Sequence, residues 1–279
     1  MKLKNLISFL SIVSILFIAG GVSAQDTNKT PVTFRTIQQN AFTAGEKLEF
    51  EINYGFITAG HATMEIAPSY ASINGRDAYD ISVRINSSSS FEWVYKVEDL
   101  YKCYMDRDGL FPWKFEQHIH EGNFKKDFEA IFDHENKKVK AYTGENDPKK
   151  FEGEYDIPMY VHDILSAFYF ARTIDYSGMS EGSTIKLENF YDDKVNPLNV
   201  KYLGKEEVDV PAGEFRCIKI EPLVVEGGLF KSEGNIVVWL TDDERKMPVL
   251  VKTKVIVGSM DVELTSYTGL AGPLNSKID

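Results

Sequence analysis

Several side chains in this sequence carry spacings that could do chemistry. His118 and His120 alternate along one strand face, a spacing that can present two imidazoles to zinc. Lys114 and Glu116 extend that face opposite Trp113, Phe115 and Ile119, and His134 falls in a turn beyond the following strand. The two histidines therefore read as solvent-side residues, and no metal site is assigned. Asp106-Arg-Asp-Gly109 resembles the opening of a calcium loop, but Leu110 follows where a ligand is needed and Gln117 replaces the closing Glu. It reads as a hairpin turn.

His162, Asp163 and Ser166 supply the residue types of a hydrolase, yet no Gly-x-Ser-x-Gly elbow surrounds the serine. Asp163 is better placed to cap a helix start, where an acid is electrostatically favoured. Arg172, at the far end of that helix, needs a buried acid and finds candidates in Asp242 and Asp243. Asp192 and Asp193, like Asp242, Asp243 and Glu244, sit in turns, whereas glycoside hydrolysis needs carboxylates held across a cleft. No catalytic residue and no cofactor signature is assigned. What remains is an excess of aromatic side chains. Tyr54, Phe56, Trp93, Trp113, Phe168 and Trp239 are the candidates for an apolar ligand-binding surface, within a set that also holds Phe50, Tyr95, Phe115 and Tyr169.

Strands must position these residues. Leu48, Phe50, Ile52 and Tyr54 alternate with Glu49, Glu51 and Asn53, and Gly55 and Gly60 then interrupt as at a bulge or bend. Asn74-Gly75, Asp108-Gly109, Gly122-Asn123 and Gly258-Ser259 punctuate further alternating runs as hairpin turns. Val161 to Arg172 breaks the pattern: it is apolar nearly all round, so it reads as a short buried helix. About a dozen strands and one helix predict an all-β protein. Its curved antiparallel sheet would form a half-barrel or open β-barrel, since long sheets curl to protect their edges.

The N-terminus carries an address. Lys2 and Lys4 precede an uncharged run, and Val22-Ser23-Ala24 supplies a small-x-small cleavage pattern. Residues 1–24 are expected to be a cleaved signal peptide, 25–44 a flexible leader, 45–270 a single β domain and 271–279 a C-terminal tail. Gln25 rather than Cys follows the cut, so lipidation is not indicated, and no transmembrane span is expected in the mature chain. An oxidising compartment makes a disulfide between Cys103 and Cys217 a candidate. The chain has 279 residues, 43% hydrophobic and 13% aromatic, with a net charge of −11, a balance that disfavours nucleic acid.

The stretch Gly45 to Met64 (GEKLEFEINYGFITAGHATM) resembles the opening of a bacterial envelope family known as domain of unknown function three-one-zero-eight. The resemblance continues through 106–112, 163–172, 210–215 and 238–248, in family order and over essentially the mature chain. It implies a secreted or periplasmic β protein of Bacteroidetes type and no established activity. Its half-barrel is loosely similar to those of lipoprotein carriers, an analogy of architecture that leaves function open. Three readings follow. The first is a periplasmic carrier of a lipid or other amphiphilic ligand, with the helix walling its cavity. The second is an envelope assembly or scaffold factor that binds another protein. The third, least favoured, is a hydrolase. A cavity beside the helix favours the first, and a packed interior with an exposed apolar patch favours the second.

Overall fold

The computed structural model describes residues 32–93, 95–224, 236–254 and 259–278. The expected signal peptide, its cleavage site and the Gly258 turn position lie outside the described residues. Among those described there are fifteen strands and one helix. Before the helix come β1 (Lys47–Tyr54), β2 (Ile57–Ile66), β3 (Ala71–Ile73), β4 (Arg76–Ser87), β5 (Glu98–Asp106), β6 (Pro112–Glu121), β7 (Phe124–Asp133), β8 (Lys138–Thr143) and β9 (Lys150–Asp156). After α1 (Ile164–Ala171) come β10 (Thr184–Tyr191), β11 (Lys194–Val210), β12 (Gly213–Val224), β13 (Ile236–Thr241), β14 (Pro248–Lys254) and β15 (Ser259–Thr268).

All strands join one sheet, antiparallel throughout, in the order β10-β11-β12-β13-β14-β15-β1-β2-β4-β5-β6-β7-β8-β9, with β3 pairing β4. Leu48, Phe50 and Ile52 are buried as the period of two requires, and the β1–β2 register shifts between Ile52 and Asn53. Gly60 lets β4 approach closely: a Cβ there would lie 2.5 Å from the Asn86 carbonyl oxygen. Asn74 and Gly75 both take positive φ, as do Asp192 and Asp193 between β10 and β11, which is the geometry that matches a hairpin to strand twist.

The sheet is curved and barrel-like but not closed by strand pairing. Its edges are β9 and β10, and the chain between them crosses the seam. Ile157 N–H donates to the Lys137 carbonyl, while His162 exchanges backbone bonds with Glu188 and Phe190. Phe190 packs on Phe132 and Tyr155 across the gap. The helix that follows is buried, with Leu165 and Tyr169 in the same cluster as Ile81, Cys103, Phe115 and Phe132. Phe168 reaches a second cluster built from β11, β12 and β13. A third core holds Leu48, Phe50, Trp239 and Leu264.

Two segments are more structured than their composition suggests. Residues 34–44, expected within a flexible leader, are packed: Phe42 sits edge-on to Tyr79 and Tyr169, and Ile37 N–H donates to the Asp108 carbonyl. The compact unit accordingly begins at Phe34. The tail is also docked, with Ser276 fully buried against Asp243 and Ile278 N–H bonded to Glu214. Polar sequence without periodicity conceals such segments, because one or two anchoring side chains suffice to hold them.

Candidate functional site

The groups at the start of α1 are in contact but closed to solvent. Asp163 is the N-cap: one carboxylate oxygen accepts from Leu165 N–H (2.7 Å) and Ser166 N–H (3.1 Å), and the other from the Cys103 thiol (3.0 Å). Ser166 Oγ accepts from Asp163 N–H, completing a capping box. His162 Nδ1 lies 3.2 Å from that hydroxyl. Burial, reinforced by the Arg35 charge, pushes the imidazole down to about 3, so it is neutral. Burial and then the Asp163 charge hold the Cys103 thiol well above its ordinary value. A neutral histidine and a serine contact each other here, but among the described residues no carboxylate is bonded to the ring, and both side chains are buried. Fully satisfied buried networks of this kind hold a core in one arrangement.

At the other end of the helix, Arg172 is completely buried. Its guanidinium forms a fork with Glu46, which is also completely buried, at 2.6 and 2.8 Å. It also donates to the carbonyls of Ala41, Arg245 and Lys246. Desolvation works against its charge, and the Glu46 carboxylate outweighs it, so its pKa is raised. This corrects the expected partnership with Asp242 or Asp243. Asp242 instead pairs with Lys205 at the surface, and Asp243 holds Thr241, Arg245 and Ser276.

The disulfide is likewise corrected. Cys103 and Cys217 are free, buried thiols in separate clusters. His118 pairs with Asp127 and Glu116, and no group of three or more metal-ligating side chains converges among the described residues. The calcium-like turn has its cation supplied by the chain: Asp106 receives a forked Arg76 guanidinium, the Trp113 indole N–H and the Gly109 N–H.

The six aromatic candidates do not converge on one surface. Trp239 is core and donates to Glu206, Phe168 is half-buried between two clusters, and Tyr54 is half-buried at the end of β1. Trp113 is only 4% exposed and lines a surface cleft of about 840 Å³ with Phe34, edged by Arg76, Lys138 and Lys140 and equally by Asp133, Glu135 and Glu154. Phe56 and Trp93 point the other way, at 108% and 84% exposure.

Those last two belong to a continuous rim. The β1–β2 turn, the β4–β5 connection and the β6–β7 turn all emerge at the same end of the sheet, as the pairings Tyr54–Ile57, Gly60–Ser87, Asn86–Glu98 and Glu121–Phe124 require. Each presents large apolar side chains: Phe56 and Ile57, then Trp93 and Tyr95, then Phe124. Phe151, exposed near the β8–β9 turn, continues the row. Backbone bonds tie the tips together, from Ser88 N–H to the Ala59 carbonyl and from Gly122 N–H to the Lys96 carbonyl, each 2.8 Å. Ser88 Oγ adds a bond to the Thr58 carbonyl. The sequence carries one cue to this placement: Phe56 directly follows Gly55, so it falls in the turn and not in the alternating run.

Comparison with known proteins identifies what this geometry is similar to. A family model described as "Protein of unknown function (DUF3108)" matches residues 49–265. No curated protein matches the sequence. Among solved structures, the β-barrel-like protein of domain of unknown function DUF1849 from Brucella abortus superposes with a TM-score of 0.54 at 10% identity, covering 82% of this chain and 98% of that one. That likeness shows the fold alone. An exported protein with a YmcC-like fold from Bacteroides fragilis covers 84% of this chain and 98% of its own at 11% identity, with a TM-score of 0.35. No helix among the described residues is long and apolar enough to cross a membrane.

Proposed function

This chain belongs to the DUF3108 family of proteins of unknown function, and from that premise we propose a non-catalytic exported protein of the bacterial envelope that works by docking through its aromatic rim. The observation that carries this reading is the contrast between interior and rim. The space around α1 is filled by two apolar clusters, while Phe56, Trp93 and Phe124 stand exposed on neighbouring hairpin tips. Leaving such side chains in water forfeits about 1.5–3 kcal/mol each relative to burial, a cost that a docking surface explains. Cys103, His162 and Ser166 at the α1 N-terminus are buried and supply no accessible nucleophile, which argues against hydrolysis.

The test is fractionation in the native bacterium. The wild-type chain is expected with the envelope fraction, and the triple variant Phe56→Ser/Trp93→Ser/Phe124→Ser in the soluble fraction at unchanged thermal midpoint. Equal distribution of the two would sink the reading. The cleft at Trp113 favours a second reading, a carrier that holds an amphiphile between its Phe34 and Trp113 rings and its charged edge. Native mass spectrometry of protein taken from its own envelope tests this. A bound lipid lost on Phe34→Glu supports a carrier, and a clean apo mass removes it.

A further inference from the structure

We propose that the surface this rim docks on is the interfacial zone of a lipid bilayer, entered by the three hairpin tips side by side. The inference rests on the docking reading above and names its partner.

Shape is the first argument. The tips belong to β1–β2, β4–β5 and β6–β7, successive pairs across the sheet, so they stand about 10 Å apart along a rim of about 20 Å. They protrude: Phe56, at 108%, is more exposed than in an isolated peptide, and Trp93 is nearly so. Aromatics that protrude along a narrow rim do not form the broad, water-excluding patch that a protein hot spot needs. They suit a surface that deforms around each one. Trp, Tyr and Phe are also the side chains that favour the headgroup boundary, because their rings are apolar and the Trp and Tyr heads keep a hydrogen bond.

Backbone satisfaction is the second argument. Carrying unpaired peptide groups toward hydrocarbon is costly, and here the tips bond to one another. Ser88 bonds Ala59 and Thr58, Gly122 bonds Lys96, and Tyr95 reaches the Glu121 carbonyl while its ring packs where a Gly122 side chain would stand.

Charge is the third. The chain carries −11 overall, which an anionic headgroup layer repels. The rim is the exception: residues 53–58 carry no charge, and across 88–98 and 120–126 Lys96, Lys125 and Lys126 balance Glu92, Glu98 and Glu121. An acidic protein that meets a membrane does so best through such neutral tips.

Trp93 makes the test direct, because Trp113 and Trp239 are 4% and 6% exposed and stay shielded. Protein purified from its own envelope is titrated with vesicles of phosphatidylethanolamine containing a minor share of phosphatidylglycerol. Trp emission should shift to the blue and be quenched by lipids brominated near the acyl carbonyl. Phe56→Ser/Phe124→Ser, which keeps the reporter, should weaken partitioning at least tenfold, while Tyr70→Ser, exposed at the opposite end of the strands, should leave it unchanged. If vesicles produce no shift while the rim still governs envelope fractionation, the bilayer is overturned as partner and a protein surface takes its place. If the rim governs neither, both readings fall. A blue shift without lipid that follows protein concentration makes a second copy the occupant and also overturns the proposal.

Discussion

Replacing Glu46 by Gln removes a fully buried charge. Both partners of the Glu46–Arg172 fork are fully buried, and the carboxylate accepts two guanidinium bonds, at 2.6 and 2.8 Å. An amide keeps the shape and one acceptor but removes the countercharge. Breaking one side of a buried pair costs about 3–5 kcal/mol, because the other charge is left uncompensated. The carbonyls of Ala41, Arg245 and Lys246 still accept from Arg172, which favours the lower end, about 3 kcal/mol. That is a large share of a total stability of about 5–15 kcal/mol. With a urea slope of about 3 kcal/mol/M, the midpoint should fall by about 1 M at unchanged slope. The control is Asp242→Asn, which breaks a solvent-exposed pair with Lys205 and should cost less than about 1 kcal/mol. A Glu46→Gln midpoint within 0.3 M of wild type (about 1 kcal/mol at that slope) would refute the assignment of Glu46 as countercharge. An equal loss in Asp242→Asn would refute it as well.

Three other outcomes follow from the same structure. Gly269→Ala should cost more than about 2 kcal/mol, since the added Cβ would sit 2.0 Å from the Gly45 carbonyl oxygen at positive φ; a urea midpoint near wild type would contradict that close approach. Burial holds His134 at about 4 and His162 at about 3 in the folded chain, below an unfolded value near 6.5, so their contribution is complete above the unfolded value and is lost as pH falls toward the folded ones. His162→Asn should therefore flatten the decline of stability between about pH 6 and 4 by up to about 1.4 kcal/mol per pH unit, and an unchanged slope would count against a neutral buried imidazole. Thiol titration should find both cysteines unreactive in the native protein and two thiols per chain after denaturation without reductant, because Cys103 and Cys217 are buried and free; no thiols after denaturation would mean a disulfide.

The sequence by itself determined what depends on neighbours along the chain. Period-two burial in β1, the Asn74-Gly75 turn and the apolar run that becomes α1 were readable because a strand, a hairpin or a buried helix is written within about ten residues. The family was readable from blocks in order along the chain, and an open, curved sheet followed from the number of strands. Tertiary structure alone decided which groups meet. Glu46 and Arg172 lie 126 residues apart, and no local rule prefers Glu46 to Asp242 as countercharge. The thiols of Cys103 and Cys217 are both small and buried, and only the register of β5 and β12 places them in separate cores. The aromatic residues show the same division: composition announced their number, but Trp239 fills a core and Trp93 stands in solvent. Periodicity fixes which face of a strand is apolar. Which strand ends stand together, and so which turn residues form one rim, is set by pairings between segments far apart in the chain.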